Sequence, residues 1–402
     1  MHSSHKMAGT AGLLVMALAL GACGGQSDNA STAAAGASTS SSTTASAKDQ
    51  LPAVIKIGAT SEKTGPVPIL GNEAKGYQAA EKYINANGGI NGHQIKITIN
   101  DNAGNPGKAV SDVRNYAQQG YKIVLGGAFG PDCAAEAPIS AKSDLIVFCG
   151  STDNLPQPDD HMFGVGLGYT PTIKAAADMI IKDSKKPAVF ADKDKSGDDS
   201  AREAPAALKA VGADPILIRT QPTDASFKAA IQKAISQGAD GLWFTECTPA
   251  AISAVGDAKN LGFKKQIYLE NCLASFGVAQ ALKGLAGTKN QIMVQSPDLL
   301  LGGATREGLQ EAIDTYKSAI PGPPDVVTSS GWDAVFLVKK LLEQTKTLDV
   351  ATNVKALENN FPFTGVWHGG TFTAEDHRGA TADGYATPSA FTNKGTIVRV
   401  DQ

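Results

Sequence analysis

The alternation of apolar and polar residues predicts a chain built largely from βα units. Residues 121–152, YKIVLGGAFGPDCAAEAPISAKSDLIVFCGST, predict a strand, a loop, a short alanine-rich helix, a second strand and a second loop. The apolar runs 123–125 and 145–148 both end in glycine-containing loops. In a parallel sheet these two loops lie at the same edge, where open α/β folds bind ligands. The stretch therefore predicts one side of a binding site.

The same pattern returns at residues 239–274. Each copy has one cysteine just after its first strand, Cys133 or Cys247, and another just after its second strand, Cys149 or Cys272. Two similar halves with matching loop edges predict two lobes that face one cleft.

The remaining periodicity predicts further strands and helices in alternation, which indicates an α/β protein with parallel sheets. Predicted strands cover residues 54–58, 93–100, 187–191, 216–219, 291–294 and 396–400. Predicted helices cover residues 72–86, 108–120, 172–184, 200–211, 226–237, 306–319, 331–345 and 347–360.

The amino-terminal segment predicts export and a lipid anchor. Residues 1–22 contain Lys6 followed by an apolar run at 11–20, which is too short for a membrane span of ~20 residues and fits a signal peptide. The run ends in Leu-Gly-Ala-Cys, similar to the lipobox of bacterial lipoproteins, with Cys23 as the lipidated residue. Residues 23–52 are rich in Ser, Thr, Ala and Gly and predict a disordered tether. The expected location is extracytoplasmic, anchored to the bacterial cell membrane; the alternative is a soluble secreted protein in which Cys23 is incidental.

Composition excludes several functional classes. A chain of 402 residues predicts two domains, and a formal net charge of −3 gives no indication of a nucleic-acid surface. The six histidines are scattered, and the sequence contains neither a Gly-x-Ser-x-Gly motif nor a P-loop. We therefore expect no enzymatic activity, no cofactor and no resident metal.

Two segments resemble ligand-binding motifs but fit them poorly. The run FGVGLG at 163–168 imitates part of a dinucleotide fingerprint, yet Tyr-Thr-Pro follows where a helix should begin. Residues 192–203, beginning DKDKSG, have the oxygen spacing of a calcium loop. A strand rather than a helix precedes them, so a strand-to-helix loop is the preferred interpretation and calcium binding the alternative.

Four cysteines remain once Cys23 is set aside, an even number in an exported chain. Members of each pair follow strands that are expected to be neighbours, so their Cα atoms could lie within the ~7 Å that a bridge needs. We predict the disulfides Cys133–Cys149 and Cys247–Cys272. The alternative is free cysteines that line the cleft.

Residues 55–110 carry a specific family resemblance. They contain a strand, the pattern T-G-P-x-x-x-x-G, a helix ending in I-N-A-x-G-G-I-N-G, a second strand and D-x-x-G-x-P-x-K-A-V. This order resembles periplasmic solute-binding proteins of the branched-chain amino acid (Leu/Ile/Val) type, and the similarity continues through most of 53–402. The resemblance implies two Rossmann-like lobes with parallel-sheet cores joined by three hinge crossovers, the type I periplasmic-binding-protein fold. It implies lobe one at 53–168 plus 296–362 and lobe two at 169–295 plus 363–402.

The resemblance also implies where a ligand is held. In the family, loops after the strands of lobe one bind an amino acid's charged groups, and residues of lobe two close over it. The implied ligand-binding residues in this sequence are Leu70, Phe129, Gly130, Gly150, Ser151, Thr152, Ser196, Glu246, Glu270, Asn271 and Trp332.

Several of these positions depart from the family pattern. Gly130 stands where the family has a serine, and Ser196 and Cys247 stand where it has tyrosines. The carboxylate that pairs with the ligand's ammonium falls on Asn271, although Glu270 is adjacent and Glu246 is near. The expected ligand is therefore a branched-chain or related amino acid, an amide or a small carboxylate. The resemblance implies a monomer that delivers this ligand to an ABC-type membrane permease and its ATPase; the alternative is a ligand-sensing receptor domain with a signalling partner.

Overall fold

The computed structural model describes residues 49–151, 160–166, 169–193, 195–221, 224–286 and 291–400. Its first sheet contains five parallel strands in the order β2-β1-β3-β4-β5. These strands are β1 (Val54–Ser61), β2 (Gln94–Asp101), β3 (Ile123–Leu125), β4 (Ile146–Cys149) and β5 (Met162–Gly164).

The second sheet contains seven strands in the order β14-β13-β10-β9-β8-β6-β7. They are β6 (Pro187–Asp192), β7 (Ile216–Thr220), β8 (Gly241–Phe244), β9 (Gln266–Leu269), β10 (Ile292–Ser296), β13 (Thr387–Phe391) and β14 (Ile397–Arg399). The order β7-β6-β8-β9-β10 repeats the order β2-β1-β3-β4-β5 of the first sheet, again with parallel pairing. The similarity between residues 121–152 and 239–274 is therefore a structural repeat, and β13 and β14 extend the second copy with antiparallel pairing.

Helices connect the strands as the periodicity predicts. They are α1 (Glu73–Ala86), α2 (Pro106–Gln118), α3 (Gly130–Ser140), α4 (Tyr169–Ile180), α5 (Lys195–Ala210), α6 (Lys228–Ser236), α7 (Pro249–Asn260), α8 (Phe276–Ala281), α9 (Asp298–Leu301), α10 (Leu309–Ala319), α11 (Val326–Thr345) and α12 (Val350–Glu358).

Two helices begin five residues earlier than their sequences predict. Helix α11 begins at Val326 because Asp325 caps it, accepting a hydrogen bond from the backbone N–H of Thr328 at 2.9 Å. Helix α5 begins at Lys195, so most of residues 192–203 follow helical geometry. The segment therefore joins β6 to α5 as expected, but most of it is helix rather than a loop, which differs from the extended course of a calcium loop.

The central strands are apolar on both faces because helices cover both sides of each sheet. All four residues of β4 and all six residues of β6 are buried. Cores of this kind hold the strand ends, and therefore the loops that follow them, in fixed positions. In the described part of the chain, no helix combines the length and the apolar character needed to cross a membrane.

A short hairpin follows α12. Its strands β11 (Phe361–Thr364) and β12 (Gly369–Phe372) pair only with each other. Phe372 and His377 both pack on Phe163 of β5, with ring centroids 6.0 and 4.2 Å away. The hairpin thus lies against the first sheet, and we propose that the third crossover falls between residues 377 and 387 rather than at 362.

Candidate ligand-binding cleft

A cavity of about 250 Å³ lies between the carboxyl-terminal edges of the two sheets. Loops after β1, β3 and β4 form one wall, and loops after β6, β8 and β9 form the other. The first residues of α11 and the hairpin residue Trp367 complete the lining. Ligands of open α/β sheets bind at this edge, and here two such edges share one cavity.

The wall formed by the first sheet is largely apolar. Val67, Ile69 and Leu70 come from the loop after β1, and Phe129 comes from the loop after β3. Among the residues that the resemblance implies for lobe one, the cavity is lined by Leu70, Phe129, Gly130, Gly150 and Ser151. Leu70 and Phe129 are half-buried, so each could still cover an apolar ligand group.

Glu62 lies behind this wall and is fully buried. Its carboxylate accepts hydrogen bonds from the backbone N–H groups of Ala128 and Phe129, at 3.4 and 3.3 Å. The approach is so close that a Cβ on Gly127 would lie 2.0 Å from Glu62 Oε1. The loop after β3 is therefore fastened by a carboxylate of the protein itself.

Glu73 occupies a similar place beneath the loop after β4. It belongs to the first turn of α1, and a Cβ on Gly150 would lie 2.0 Å from its Oε1. Ser330 lines the cavity, and its hydroxyl donates to the carbonyl of Val165 at 2.9 Å and lies 3.5 Å from Glu73 Oε1. Burial, followed by the nearby charge of Glu62, raises the pKa of Glu73 well above its usual value.

Asp132 and Glu136 of α3 complete a group of four buried carboxyls, hereafter the buried acidic cluster, together with Glu62 and Glu73. Burial and the charge of Glu62 raise the pKa of Asp132 to about 8. Burial and the charge of Asp132 raise the pKa of Glu136 well above its usual value. At neutral pH the cluster therefore holds protons instead of several adjacent negative charges.

The wall formed by the second sheet is acidic. Asp192, Glu246 and Glu270 follow the neighbouring strands β6, β8 and β9, and each is at most 5% exposed. The hydroxyl of Thr220, at the end of β7, lies 2.8 Å from Glu246 Oε1 and 3.1 Å from Asp192 Oδ1. Asn271 also lines this wall. Glu246, Glu270 and Asn271 thus lie together as the resemblance implies.

Both predicted disulfides are confirmed. Cys133, in the first turn of α3, is bonded to Cys149 at the end of β4, with a Cα–Cα distance of 6.0 Å. Cys247 is bonded to Cys272 across the ends of β8 and β9, with a Cα–Cα distance of 5.8 Å. The second bridge itself lines the cavity, whereas the first lies fully buried. The second bridge ties together the segments that follow β8 and β9, and the first ties α3 to the end of β4.

Trp332, which the resemblance implies as a ligand-binding residue, does not line the cavity, and that expectation is wrong. It is 2% exposed and stacks on Phe336 with ring centroids 4.5 Å apart, near Tyr83 and Tyr316. Ser330, two residues earlier on α11, faces the cavity. Two residues correspond to about 200° of rotation around a helix, which turns Trp332 into the core.

Two other implied residues are not placed. Thr152 lies outside the described residues, and so does the side chain of Ser196. Gly197, the residue after Ser196, lines the cavity where α5 begins. Contact of Thr152 and Ser196 with a ligand therefore stays a prediction.

Sequence reasoning missed several residues of the site. Asp192 is the last residue of β6 and Glu62 directly follows β1, so the rule that strand ends mark the site could have found both. Trp367 offered no such signal, because the hairpin loop brings it to the cavity from far along the chain. The buried carboxylate of Asp333 holds that loop by accepting the backbone N–H groups of residues 366, 367 and 368 at 2.9, 2.7 and 2.8 Å.

Two lobes with parallel-sheet cores and one cavity between their strand edges define a solute-binding protein of the type I periplasmic-binding-protein fold. The model of the periplasmic binding protein family matches residues 54–390, and the chain belongs to that family.

Curated relatives are similar over shorter stretches. The Leu/Ile/Val-binding protein homolog 3 of Brucella melitensis is 27% identical over 200 residues, which cover 47% of this chain and 54% of the relative. The chain thus spans about half the length of that relative. An amino acid binding protein of Pseudomonas aeruginosa is 27% identical over 257 residues, covering 61% of this chain and 67% of the relative.

Solved structures share the fold at lower identity. The branched-chain amino acid transporter substrate binding protein of Streptococcus pneumoniae, in complex with isoleucine, has a TM-score of 0.71 at 22% identity and covers 86% of this chain and 97% of its own. A fatty acid ABC transporter substrate-binding protein from Thermomonospora curvata has a TM-score of 0.68 at 19% identity and covers 87% of this chain and 92% of its own. One fold thus serves proteins that are named for chemically very different ligands, so these structures support the fold alone.

Proposed function

We propose that this protein is an extracytoplasmic solute-binding lipoprotein that captures a small polar molecule between its lobes and delivers it to an ABC-type permease. The observation that carries the proposal is the cavity of about 250 Å³ lined from the strand ends of both sheets. Its size suits a molecule of amino-acid dimensions. The relatives of this chain include proteins named for amino acid binding, which favours a ligand with an amino group.

Capture would proceed by hinge closure. The apolar wall of the first sheet receives the body of the ligand, and the polar wall of the second sheet closes over its charged group. The closed form, acting as a monomer, would then dock on the permease, whose ATPase partner supplies the energy. During this movement Cys133–Cys149 would hold α3 to the end of β4, and Cys247–Cys272 would hold together the segments after β8 and β9.

Anchoring to the membrane is a separate part of the proposal. Lipidation of Cys23 and the tether at 23–52 would hold the binding domain near its permease. Expression of the full chain in a bacterial host tests it: the wild-type protein should fractionate with membranes, and Cys23→Ala should not. Equal fractionation of the two proteins would refute lipid anchoring.

Ligand capture is tested by a thermal-shift screen with amino acids, amides, amines, carboxylic acids and sugars. A ligand at 100 times its Kd stabilises the folded protein by about 2.7 kcal/mol, which is readily detected. Val327 is half-buried and lines the cavity, so Val327→Trp should fill the cavity and abolish the shift. The same replacement at Val54, 48% exposed at the start of β1, is the matched control and should retain it. A panel that stabilises none of these proteins, or that stabilises all of them equally, would refute ligand capture in the cleft.

A further inference from the structure

The two disulfides differ in what can reach them from solution. Cys133 and Cys149 are both fully buried, in the same apolar cluster as Val124 and Val147. Cys247 is exposed, Cys272 is half-buried, and both line the cavity. Exchange between a thiol and a disulfide requires the attacking sulfur to reach the bridge directly. Of these two bridges, only Cys247–Cys272 offers that access while the protein stays folded.

The cavity brings a small thiol to the sulfur of Cys247 first. Its volume is about 250 Å³, several times the ~30 Å³ that one water molecule occupies in the liquid. Cys247 is exposed just before Thr248, the residue that caps α7. Cys272 lies half-buried within the turn Asn271–Leu273. Attack on Cys247 therefore meets less obstruction, which makes Cys272 the leaving sulfur.

The bridge lies where the pairing of its two strands has ended. β8 and β9 pair as far as Phe244 and Leu269, and the N–H of Glu270 then donates to the carbonyl of Phe244 at 3.1 Å. Beyond this bond the chain continues into residues 245–248 and 270–272, all of which line the cavity. The bridge joins these two segments at the surface that a ligand meets. Opening it therefore acts on the wall of the cleft itself.

The segment after β8 also has local hydrogen bonds that do not depend on the bridge. The N–H and the hydroxyl of Thr245 both donate to the carbonyl of Phe190, at 3.1 and 2.8 Å. Thr248 caps α7 by accepting a hydrogen bond from the N–H of Ala251 at 3.4 Å. Reduction of the bridge should therefore loosen the two segments relative to each other without unfolding the lobe.

We propose that Cys247–Cys272 is a site of thiol–disulfide exchange with a small organic thiol that enters the cleft, and that its opening weakens ligand capture. The thiolate attacks Cys247 Sγ, the S–S bond breaks, and Cys272 leaves as a thiolate that takes up a proton. A second thiol molecule attacks the mixed disulfide at the sulfur of the first, which releases Cys247 as a thiol. Two small thiols are thus oxidised to their disulfide while one protein bridge is reduced. The effect on capture rests on the proposed function, whereas the exchange itself does not.

Differential alkylation of the full chain under native conditions tests the exchange. The folded protein is exposed to 2-mercaptoethanol, free thiols are trapped with iodoacetamide, and tryptic peptides are analysed by mass spectrometry. Lysines place the four cysteines in different tryptic peptides, so each bridge is followed separately. We expect Cys247–Cys272 to open at least tenfold faster than Cys133–Cys149, with an unchanged circular dichroism spectrum. Equal rates, faster opening of Cys133–Cys149, or opening of neither bridge before unfolding would overturn the proposal.

Hydrogen exchange measures the effect on the wall. Cys247→Ser/Cys272→Ser removes the bridge at nearly constant side-chain size. The amides of residues 245–248 and 270–274 should exchange at least tenfold faster in this variant than in the wild-type protein, and those of residues 126–130 in the opposite wall should not change. Equal exchange of the two proteins would contradict a bridge that holds the wall. If the variant does not fold, wild-type protein kept in 2-mercaptoethanol with only Cys247–Cys272 open takes its place.

The panel of amino acids, amides, amines, carboxylic acids and sugars separates this proposal from the proposed function. A compound that stabilises the wild-type protein should bind the serine double variant at least tenfold more weakly in isothermal titration calorimetry. Addition of 2-mercaptoethanol should weaken binding to the wild-type protein and leave the variant unaffected. Equal affinity of the two proteins would overturn the effect on capture and leave solute capture intact. A panel that stabilises neither protein refutes solute capture, while the rates of bridge opening still decide the exchange site.

Discussion

Replacement of Asp132 by asparagine should change how the stability of the protein depends on pH. Asp132 lies in the first turn of α3, fully buried within the acidic cluster. Burial and the charge of Glu62 raise its pKa from 3.8 to about 8. Between these two values the folded protein holds a proton on Asp132 that the unfolded chain has released. Asparagine has nearly the same shape and cannot ionise, so it removes this difference.

The sign and size of the effect follow from proton linkage. Because the pKa of Asp132 is raised on folding, its contribution to stability is fully present below about pH 4 and is lost as the pH rises to about 8. One proton difference changes the free energy of unfolding by about 1.4 kcal/mol per pH unit. The best window is pH 6.5 to 7.5. Burial lowers the pKa of His368 from 6.5 to about 4. The contribution of His368 to stability is therefore lost as the pH falls from about 6.5 to 4, which is below this window.

Urea unfolding at pH 6.5, 7.0 and 7.5 measures the effect. Between pH 6.5 and pH 7.5 the free energy of unfolding of the wild-type protein should fall by about 1.4 kcal/mol more than that of Asp132→Asn. Glu73, Glu136 and Asp333 also have raised pKa values, but they are common to both proteins and their contributions largely cancel. The denaturant slope should stay constant, so that the change appears in the midpoint.

An exposed aspartate provides the control. Asp383→Asn makes the same chemical change on the surface and should keep the pH dependence of the wild-type protein. Identical pH dependence in Asp132→Asn and wild type would show that Asp132 is ionised in the folded state, which would refute the protonated cluster. A steeper loss of stability in Asp132→Asn would refute it equally.

Two further predictions concern the loops of the first-sheet wall. The double variant Cys133→Ala/Cys149→Ala removes a bridge between residues separated by 16 positions in the sequence. It should lower the free energy of unfolding in urea by about 3 kcal/mol. An unchanged midpoint would show that the bridge does not constrain the unfolded chain. Gly150→Ala would place a Cβ 2.0 Å from Glu73 Oε1 and should both lower the melting temperature and weaken ligand binding. Gly256→Ala, in α7 with nothing within 4 Å of the added Cβ, is the control and should not destabilise; equal behaviour of the two glycine variants would contradict the close approach.

Most of the fold could be predicted from the sequence because each parallel strand is a short apolar run closed by glycine or a polar loop. Strand β2, predicted at 93–100, is observed at Gln94–Asp101, and the two cysteine pairs mark equivalent edges of the two sheets. The start of α11 was less predictable. Its first turns contain Val, Thr, Ser and Gly, which have modest helix propensity, and packing against α1 decides their conformation.

The location of the site was also predictable, but its charge was only partly so. Glu246 and Glu270 were expected because they lie beside positions that the resemblance implies, and the rule that strand ends mark the site would have added Asp192 and Glu62. What the rule cannot supply is the direction of each side chain. Glu62 turns under its own wall and engages Ala128 and Phe129, whereas Glu246 lines the cavity.

These directions decide what the family resemblance means for this chain. An amino acid needs a cleft with two complementary charges, an acceptor for its ammonium and donors for its carboxylate. The second-sheet wall brings Asp192, Glu246 and Glu270 to the cavity, where the resemblance implies a partner for the ammonium. The first-sheet wall loses much of the second, because Gly130 has no hydroxyl and Glu62 occupies neighbouring N–H groups. The fold therefore brings the loops that the resemblance implies to one cavity, while the polar atoms that the protein itself already engages limit which groups a ligand could find there.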